Sequence, residues 1–129
     1  MPNWCFNELK IDTEEPKVLE RFKRKAKAKD TALSLNKLHP EPKGVDWYEW
    51  RLQNWGTKWD VEAMLEDYSE DYLLYTFDSA WSPPVEWLEY VAKQYPQLQF
   101  RLKFDESGVG FFGVATAENG EVTTKVLEY

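Results

Sequence analysis

The sequence of 129 residues predicts an α+β fold built as a single domain over residues 1–129. Several short segments alternate hydrophobic and polar residues, which is the period of a half-buried strand. Two longer segments repeat hydrophobic residues every three or four positions, which is the period of an amphipathic helix. Because hairpins join most of the strands and the helices lie between them, we expect a mainly antiparallel sheet with two long helices packed on one face.

A strand and a helix are predicted at the start of the chain. Residues 3–11 alternate loosely and form the first strand. Residues 12–16 then combine a capping side chain, acidic residues and a proline, which is the signal of a helix start. The helix that follows is expected to bury one hydrophobic stripe, formed by Val18, Leu19, Phe22 and Ala26.

The next segment is predicted to contain little regular structure. Three leucines within residues 33–38 indicate a short extended stretch. Residues 39–44 form a loop, since two prolines and a glycine interrupt regular structure. A short helix is expected over residues 45–54, and Gly56 can end it.

A hairpin and the second long helix come next. Residues 58–67 alternate and predict a strand, residues 68–71 predict a turn, and residues 73–77 predict the return strand. Ser82 and the two prolines after it are typical of an N-cap and a first helical turn. This helix is expected to end at Pro96.

Three strands are predicted to complete the sheet, over residues 98–104, 109–116 and 122–127. Asn119 and Gly120, the strongest two-residue hairpin signal in the chain, join the last two. The order of elements is best fitted by a split βαβ sheet of the ferredoxin-like kind, extended by a C-terminal hairpin.

The formal net charge of −7 is distributed unevenly. Residues 1–29 have a balance of +3 and the remaining residues a balance of −10. Residues 60–78 contain seven carboxylates and no lysine or arginine. Both runs are interpreted as solvated faces, although such asymmetry could also steer different partners to opposite surfaces. The basic excess lies in the first helix and just after it, at Arg21, Lys23, Arg24, Lys25, Lys27 and Lys29.

The sequence indicates a cytoplasmic protein with no membrane partner. No window approaches the length of apolar sequence that a membrane span needs, and the first residues lack the pattern of a secretion signal. The lone cysteine, Cys5, excludes a disulfide scaffold and fits a reducing compartment.

Catalytic, cofactor-binding and metal-ligating patterns are not recognised, so we predict no cofactor and no enzyme. One histidine and one cysteine cannot build a zinc site, and Cys5 is interpreted as an inert buried thiol. Residues 108–110 lack the third glycine and the helix of a dinucleotide fingerprint. The enzymatic alternative is Pro2, which would be a terminal base if Met1 were removed, a plan that looks like that of the tautomerase superfamily.

Six of the seven tryptophans lie between Trp47 and Trp87, with polar residues between them. Those polar side chains are expected to satisfy backbone groups or indole N–H donors in an ordered loop. Most rings are interpreted as core, whereas Trp55 and Trp81, at loop junctions, are predicted to face a ligand or partner. The candidate binding residues are Asn54, Trp55, Gly56, Thr57, Lys58, Asp60, Trp81, Ser82 and Pro83.

Three segments carry a family resemblance: Met1-Pro2-Asn3-Trp4-Cys5 with Asn7, Asn54-Trp55-Gly56-Thr57-Lys58-Trp59-Asp60, and Ala80-Trp81-Ser82-Pro83-Pro84 before a tryptophan-containing helix. They resemble the YubB ferredoxin-like family, which occurs in conjugative plasmids, bacteriophages and bacteria that carry such elements. The resemblance covers nearly the whole chain. It implies a ferredoxin-like domain in a mobile-element protein, with no established activity and no catalytic residues to transfer. The chain departs from the family at His39 and Glu41, where members more often have an apolar residue and methionine.

We therefore expect a non-enzymatic accessory protein of a phage or plasmid that acts through contact with an unidentified protein partner. One alternative is an acidic mimic of nucleic acid that inhibits a host defence or DNA-processing protein, based on residues 60–78. A second alternative is nucleic-acid binding through the basic first helix, which predicts a steep dependence on salt.

Overall fold

The computed structural model describes residues 3–128 and confirms the α+β, ferredoxin-like fold. Within these residues, six strands and four helices follow one another. They are β1 (Trp4–Thr13), α1 (Pro16–Ala26), α2 (Leu35–Leu38), α3 (Trp47–Asn54), β2 (Met64–Tyr68), β3 (Tyr72–Ala80), α4 (Val85–Gln94), β4 (Leu98–Glu106), β5 (Phe111–Glu118) and β6 (Glu121–Glu128).

The six strands form one sheet in the order β2-β3-β1-β4-β5-β6, and every neighbouring pair is antiparallel. The first four strands have the split βαβ arrangement, since β3 lies between β2 and β1, and β1 lies between β3 and β4. The β5–β6 hairpin extends this sheet beyond β4, as predicted. Asn119 and Gly120 form its turn with φ angles of 55° and 83°, which is the conformation expected of an Asn-Gly hairpin.

One face of the sheet forms the core and the opposite face is open to solvent. On β1 the buried residues alternate, and Leu9 lies between Tyr75 of β3 and Leu102 of β4 on the covered face. Helix α1 covers this face with the predicted stripe, and the Phe22 ring packs edge-on against Phe100 at 5.9 Å. Helix α4 covers it with Trp87, Leu88, Val91 and Ala92.

The predicted extended stretch over residues 33–38 is wrong, because residues 35–38 form the single helical turn α2. The Ser34 side chain accepts from the Lys37 backbone N–H at 3.2 Å. The Asp60 carboxylate accepts from the backbone N–H of Leu35 at 2.7 Å. A carboxylate 25 residues away in sequence therefore decides the conformation here, which local periodicity cannot show.

The predicted strand over residues 58–67 is confirmed only in its second part, since β2 begins at Met64. Before it, Ala63 bonds to residues 31–32 instead of to β3: its N–H donates to the Thr31 hydroxyl at 2.7 Å, and its carbonyl accepts from Ala32 at 3.0 Å. Val61 and Ala63 are buried, which gives the sequence the alternation of a strand, although this segment pairs with no strand.

Ser82 was predicted to cap the second long helix, and this is wrong. The N-cap position of α4 is Pro84, with no capping side chain, and the Ser82 hydroxyl donates to the Gly56 carbonyl instead. None of the helices within residues 3–128 has the length and hydrophobicity that a bilayer crossing requires.

Candidate functional site

The structure divides the predicted binding residues into buried and exposed members. Trp55 was predicted to face a ligand, and this is wrong, because only 1% of its surface is exposed. Its indole N–H donates to the His39 carbonyl at 3.0 Å, and its ring packs edge-on against Trp50. Thr57 and Pro83 are also buried. These three residues belong to the scaffold of the site, not to its surface.

The Asn54–Thr57 segment ties α3 to the junction between β3 and α4. The Thr57 hydroxyl donates to the Ala80 carbonyl at 2.8 Å, and the Asn54 amide donates to the Trp50 carbonyl at 2.8 Å. Gly56 has a φ of 83°, and a Cβ there would collide with the Glu86 carboxylate. The expectation that polar side chains in this loop satisfy backbone groups is confirmed for Asn54 and Thr57.

Asp60 also has a structural role. Its carboxylate accepts from the Ser34 hydroxyl at 2.7 Å and from the backbone N–H groups of Leu35 and Asn36 at 2.7 and 3.2 Å. These bonds fix the N-terminus of α2 against the segment before β2. Lys58 points elsewhere, since its ammonium lies 4.3 Å from the centroid of the Trp59 ring.

Trp81 is exposed, as predicted, and its backbone is strained. Its side chain is 45% exposed and its φ is 69°, a region that bulky residues rarely adopt. The Ser82 N–H donates to the Ala80 carbonyl at 2.8 Å across this residue, and the Trp81 N–H donates to the Asn3 carbonyl at 2.8 Å. Strain of this kind is concentrated at functional sites and is held there by the surrounding structure.

The strain at Trp81 gives a prediction that compares two substitutions. Trp81→Gly and Trp81→Ala both remove the ring, but only glycine adopts a φ of 69° without steric cost. We expect the glycine variant to have the higher free energy of unfolding, by about 1 kcal/mol, in urea denaturation followed by circular dichroism. Equal stabilities would show that the turn relaxes and stores no strain.

Two exposed tryptophans outside the predicted set complete the site. Trp4 is 48% exposed and Trp59 is 39% exposed, and their ring centroids lie 6.1 Å apart. The sequence contained a signal for Trp4. Since Leu9 and Ile11 point to the core, the even-numbered residues Trp4 and Phe6 must point to the open face.

A cleft of about 370 Å³ opens beside these rings, where β1 begins and β3 ends. We call it the tryptophan cleft. It is lined by Trp4, Asp60, Val61, Glu62 and Asp78. Trp59 and Trp81 are not part of this lining: the Trp59 ring lies next to the Trp4 ring, and Trp81 follows Ala80, the register partner of Trp4. The cleft therefore combines exposed indole surface with carboxylates.

Two groups bear on the enzymatic alternative, the Cys5 thiol and the terminal base at Pro2. Burial raises the pKa of the Cys5 thiol to about 12, so the thiol stays protonated at neutral pH. Pro2, the other candidate, lies outside the described residues. Within residues 3–128, no group of three or more histidine, cysteine, aspartate and glutamate side chains is arranged to hold a metal ion.

His39 provides a pH-dependent prediction, because it is the single histidine. Its ring stacks on Tyr90 with centroids 3.6 Å apart, and its Nδ1 is buried without a hydrogen-bond partner among the described residues. Burial lowers the pKa of His39, partly offset by a hydrogen bond to the Asn54 backbone. Below a pH of about 6.5, the unfolded chain thus binds more protons than the folded protein.

We therefore expect the free energy of unfolding to fall as the pH is lowered from about 7.5 to about 5.5. The His39→Phe variant keeps a ring for the stack on Tyr90 but cannot titrate, so it should lose this part of the pH dependence. Urea denaturation of both proteins across this range measures the difference. Parallel curves for the two proteins would contradict the prediction.

Comparison with known proteins supports the fold and a family. A family model described as the ferredoxin-like domain in Api92-like protein matches residues 54–129. The crystal structure of a protein api92 from Yersinia pseudotuberculosis is similar to this chain with a TM-score of 0.56 and 18% identity, over 74% of this chain and 39% of that one. The chain thus spans about two-fifths of the length of that protein, and at this identity the likeness shows the fold alone. The comparison with curated proteins gives no match.

Proposed function

The chain belongs to the family of ferredoxin-like domains in Api92-like proteins, and we propose that it is a non-enzymatic accessory protein of a mobile genetic element, acting through protein–protein contact. The mobile-element part rests on the resemblance of the Asn54–Asp60 segment and its flanking motifs to the YubB ferredoxin-like family. We place the contact in the cytoplasm, because a lone buried thiol at Cys5 suits a reducing compartment.

The observation that supports a protein contact is the group of exposed rings around the tryptophan cleft. Trp4, Trp59 and Trp81 expose 39–48% of their surfaces at one end of the sheet, although the same fold buries Trp55 and Trp87 completely or nearly so. Tryptophan is enriched among the residues that dominate binding energy in protein interfaces. The strained backbone of Trp81 is consistent with a functional reason for exposing that ring.

Affinity capture from a host lysate with quantified partner binding tests this function. We expect the native protein to retain a protein partner, and the Trp4→Ser and Trp59→Ser variants to bind that partner at least about tenfold more weakly. Tyr68→Ser is the matched control, because Tyr68 is exposed at the far end of β2. If no partner is retained, or if all variants bind equally, the tryptophan cleft is not a protein interface.

The acidic-mimic alternative has less support. Several of the carboxylates in residues 60–78 are engaged in local bonds: Asp60 caps α2, Glu66 accepts from the Thr76 hydroxyl, and Asp67 accepts from the Tyr72 hydroxyl. A phosphate-like track requires carboxylates that project freely at regular spacing. This interpretation predicts tight binding to a DNA-binding protein, and competition of that binding by duplex DNA would test it.

Nucleic-acid binding through α1 stays a second alternative. Three cations, Lys23, Arg24 and Lys25, lie in its last turn, but Arg24 pairs with Glu20 and the Lys23 ammonium lies 4.4 Å from the Tyr68 ring centroid. A titration with single- and double-stranded DNA at two salt concentrations tests this alternative. Undetectable or salt-insensitive binding would reject it.

A further inference from the structure

We propose that the tryptophan cleft binds a basic segment, rich in arginine or lysine, of a partner protein. This inference rests on the proposed function and names the chemistry of the partner. It commits to a cationic peptide, since the carboxylates and the indole ring that line the cleft are complementary to one.

The carboxylates of the cleft are available for a cation. Glu62 and Asp78 are exposed, and among the described residues neither forms an ion pair. Both oxygens of the Asp60 carboxylate already accept hydrogen bonds from the N-terminus of α2. Asp60 therefore adds negative charge to the cleft but does not bind the cation directly. No residue that lines the described cleft carries a positive charge. An approaching cation therefore meets attraction only from this lining.

The indole ring that lines the cleft, Trp4, suits the same ligand. An ammonium or guanidinium group is attracted to the face of an indole ring, and tryptophan is the strongest aromatic partner for it. The protein itself shows this contact, because the Lys58 ammonium lies over the Trp59 ring at 4.3 Å. The neighbouring Trp4 ring lines the cleft and has no cation of the described chain over its face.

Arginine fits this combination best. Its planar guanidinium can donate two parallel hydrogen bonds to one carboxylate while it stacks on an indole ring. A volume of about 370 Å³ is within the range of clefts that bind small ligands, so it can admit a side chain of this size. Lysine would bind the same place as a point charge, with less geometric specificity.

The test measures the binding of a short fluorescein-labelled peptide of alternating arginine and serine by fluorescence anisotropy. The cleft variant combines Glu62→Gln with Asp78→Asn, which removes two charges with little change in shape. We expect it to bind about five- to tenfold more weakly than the native protein. The matched control combines Glu118→Gln with Glu121→Gln, two exposed carboxylates next to the hairpin turn. This control removes the same net charge and should change the affinity less than about twofold.

Three results would overturn the inference. The arginine peptide could fail to bind, both double variants could lose affinity equally, or a glutamate-serine peptide could bind as tightly. A fourth result would overturn it as well: a second copy of the chain could occupy the cleft. Analytical ultracentrifugation of the free protein tests for this. If the captured partner contacts Trp4 and Trp59 but the peptide does not bind, the proposed function stands and only the partner chemistry is wrong.

Discussion

Replacing Trp87 by alanine is expected to lower the free energy of unfolding by about 3–5 kcal/mol. Trp87 is fully buried in α4, and its indole N–H donates to the Leu35 carbonyl at 3.1 Å. The substitution removes a large apolar side chain, leaves a cavity under the sheet, and deprives the Leu35 carbonyl of one of its two donors, since the His39 backbone N–H still donates to it at 2.9 Å. Because whole domains are stable by only about 5–15 kcal/mol, this loss should be obvious in urea denaturation followed by circular dichroism.

Two further variants control the Trp87 result. Trp87→Phe keeps most of the volume but loses the N–H donor, so its loss should be clearly smaller than that of alanine. Trp47→Ala removes an exposed tryptophan from α3 and should cost less than about 1 kcal/mol. A Trp87→Ala protein that is as stable as the Trp47→Ala protein would mean that α4 does not pack on the sheet through Trp87.

Replacing Asp60 by alanine is expected to lower the free energy of unfolding by about 2–3 kcal/mol, which is unusual for an exposed residue. The carboxylate accepts hydrogen bonds from Ser34, Leu35 and Asn36, and without it the backbone N–H groups of Leu35 and Asn36 lose their acceptor. Chemical denaturation measures the loss. Hydrogen exchange should show faster exchange of the Leu35 and Asn36 amides before the whole protein unfolds.

The neighbouring carboxylate provides the comparison for Asp60. Glu62 is exposed and makes no hydrogen bond to the described chain, so Glu62→Ala should change the stability by less than about 0.5 kcal/mol. Asp60→Asn keeps one acceptor oxygen and should lie between the two. If the Asp60 and Glu62 variants were equally stable, the cap on α2 would contribute nothing to folding.

The expected effects of substitutions on the free energy of unfolding determine which variants can be used to test binding. Trp55 and Asp60 were predicted to contact a partner, but both support the loop around the cleft, so their substitution would change folding and binding together. Trp4, Trp59 and the carboxylates of Glu62 and Asp78 are exposed, so we expect their substitution to change binding more than folding. The functional experiments therefore use the second group.

The sequence predicted the fold well because most of its elements are specified locally. The hydrophobic stripe of α1 contains the four residues that the structure buries, and the Asn119-Gly120 hairpin has the expected positive φ angles. The errors occur where a distant group decides. Helix α2 depends on Asp60, and the segment before β2 bonds to residues 31–32.

Of the residues predicted for the site, the structure places one, Asp60, in the lining of the cleft. The clustering of tryptophans and polar residues identified the loop that surrounds the cleft, and Trp81 is exposed there as predicted. A tryptophan has the same composition signal in a core as at a surface, so the sequence could not separate Trp55 from Trp59. Trp4 was missed because it is far from the cluster in sequence.

The sequence by itself determined the periodicity of strands and helices, the hairpin turns and the ferredoxin-like fold, since each of these depends on residues close together in the chain or on their order. Only the tertiary structure decided which tryptophans between Trp47 and Trp87 face solvent and which carboxylates are free. Pairing of β1 with β3 brings Trp4 beside Asp78, 74 residues away, and the fold turns Asp60 towards α2. The alternation of β1 indicates that Trp4 is exposed, but its position beside these carboxylates is a property of long-range packing that no local pattern encodes.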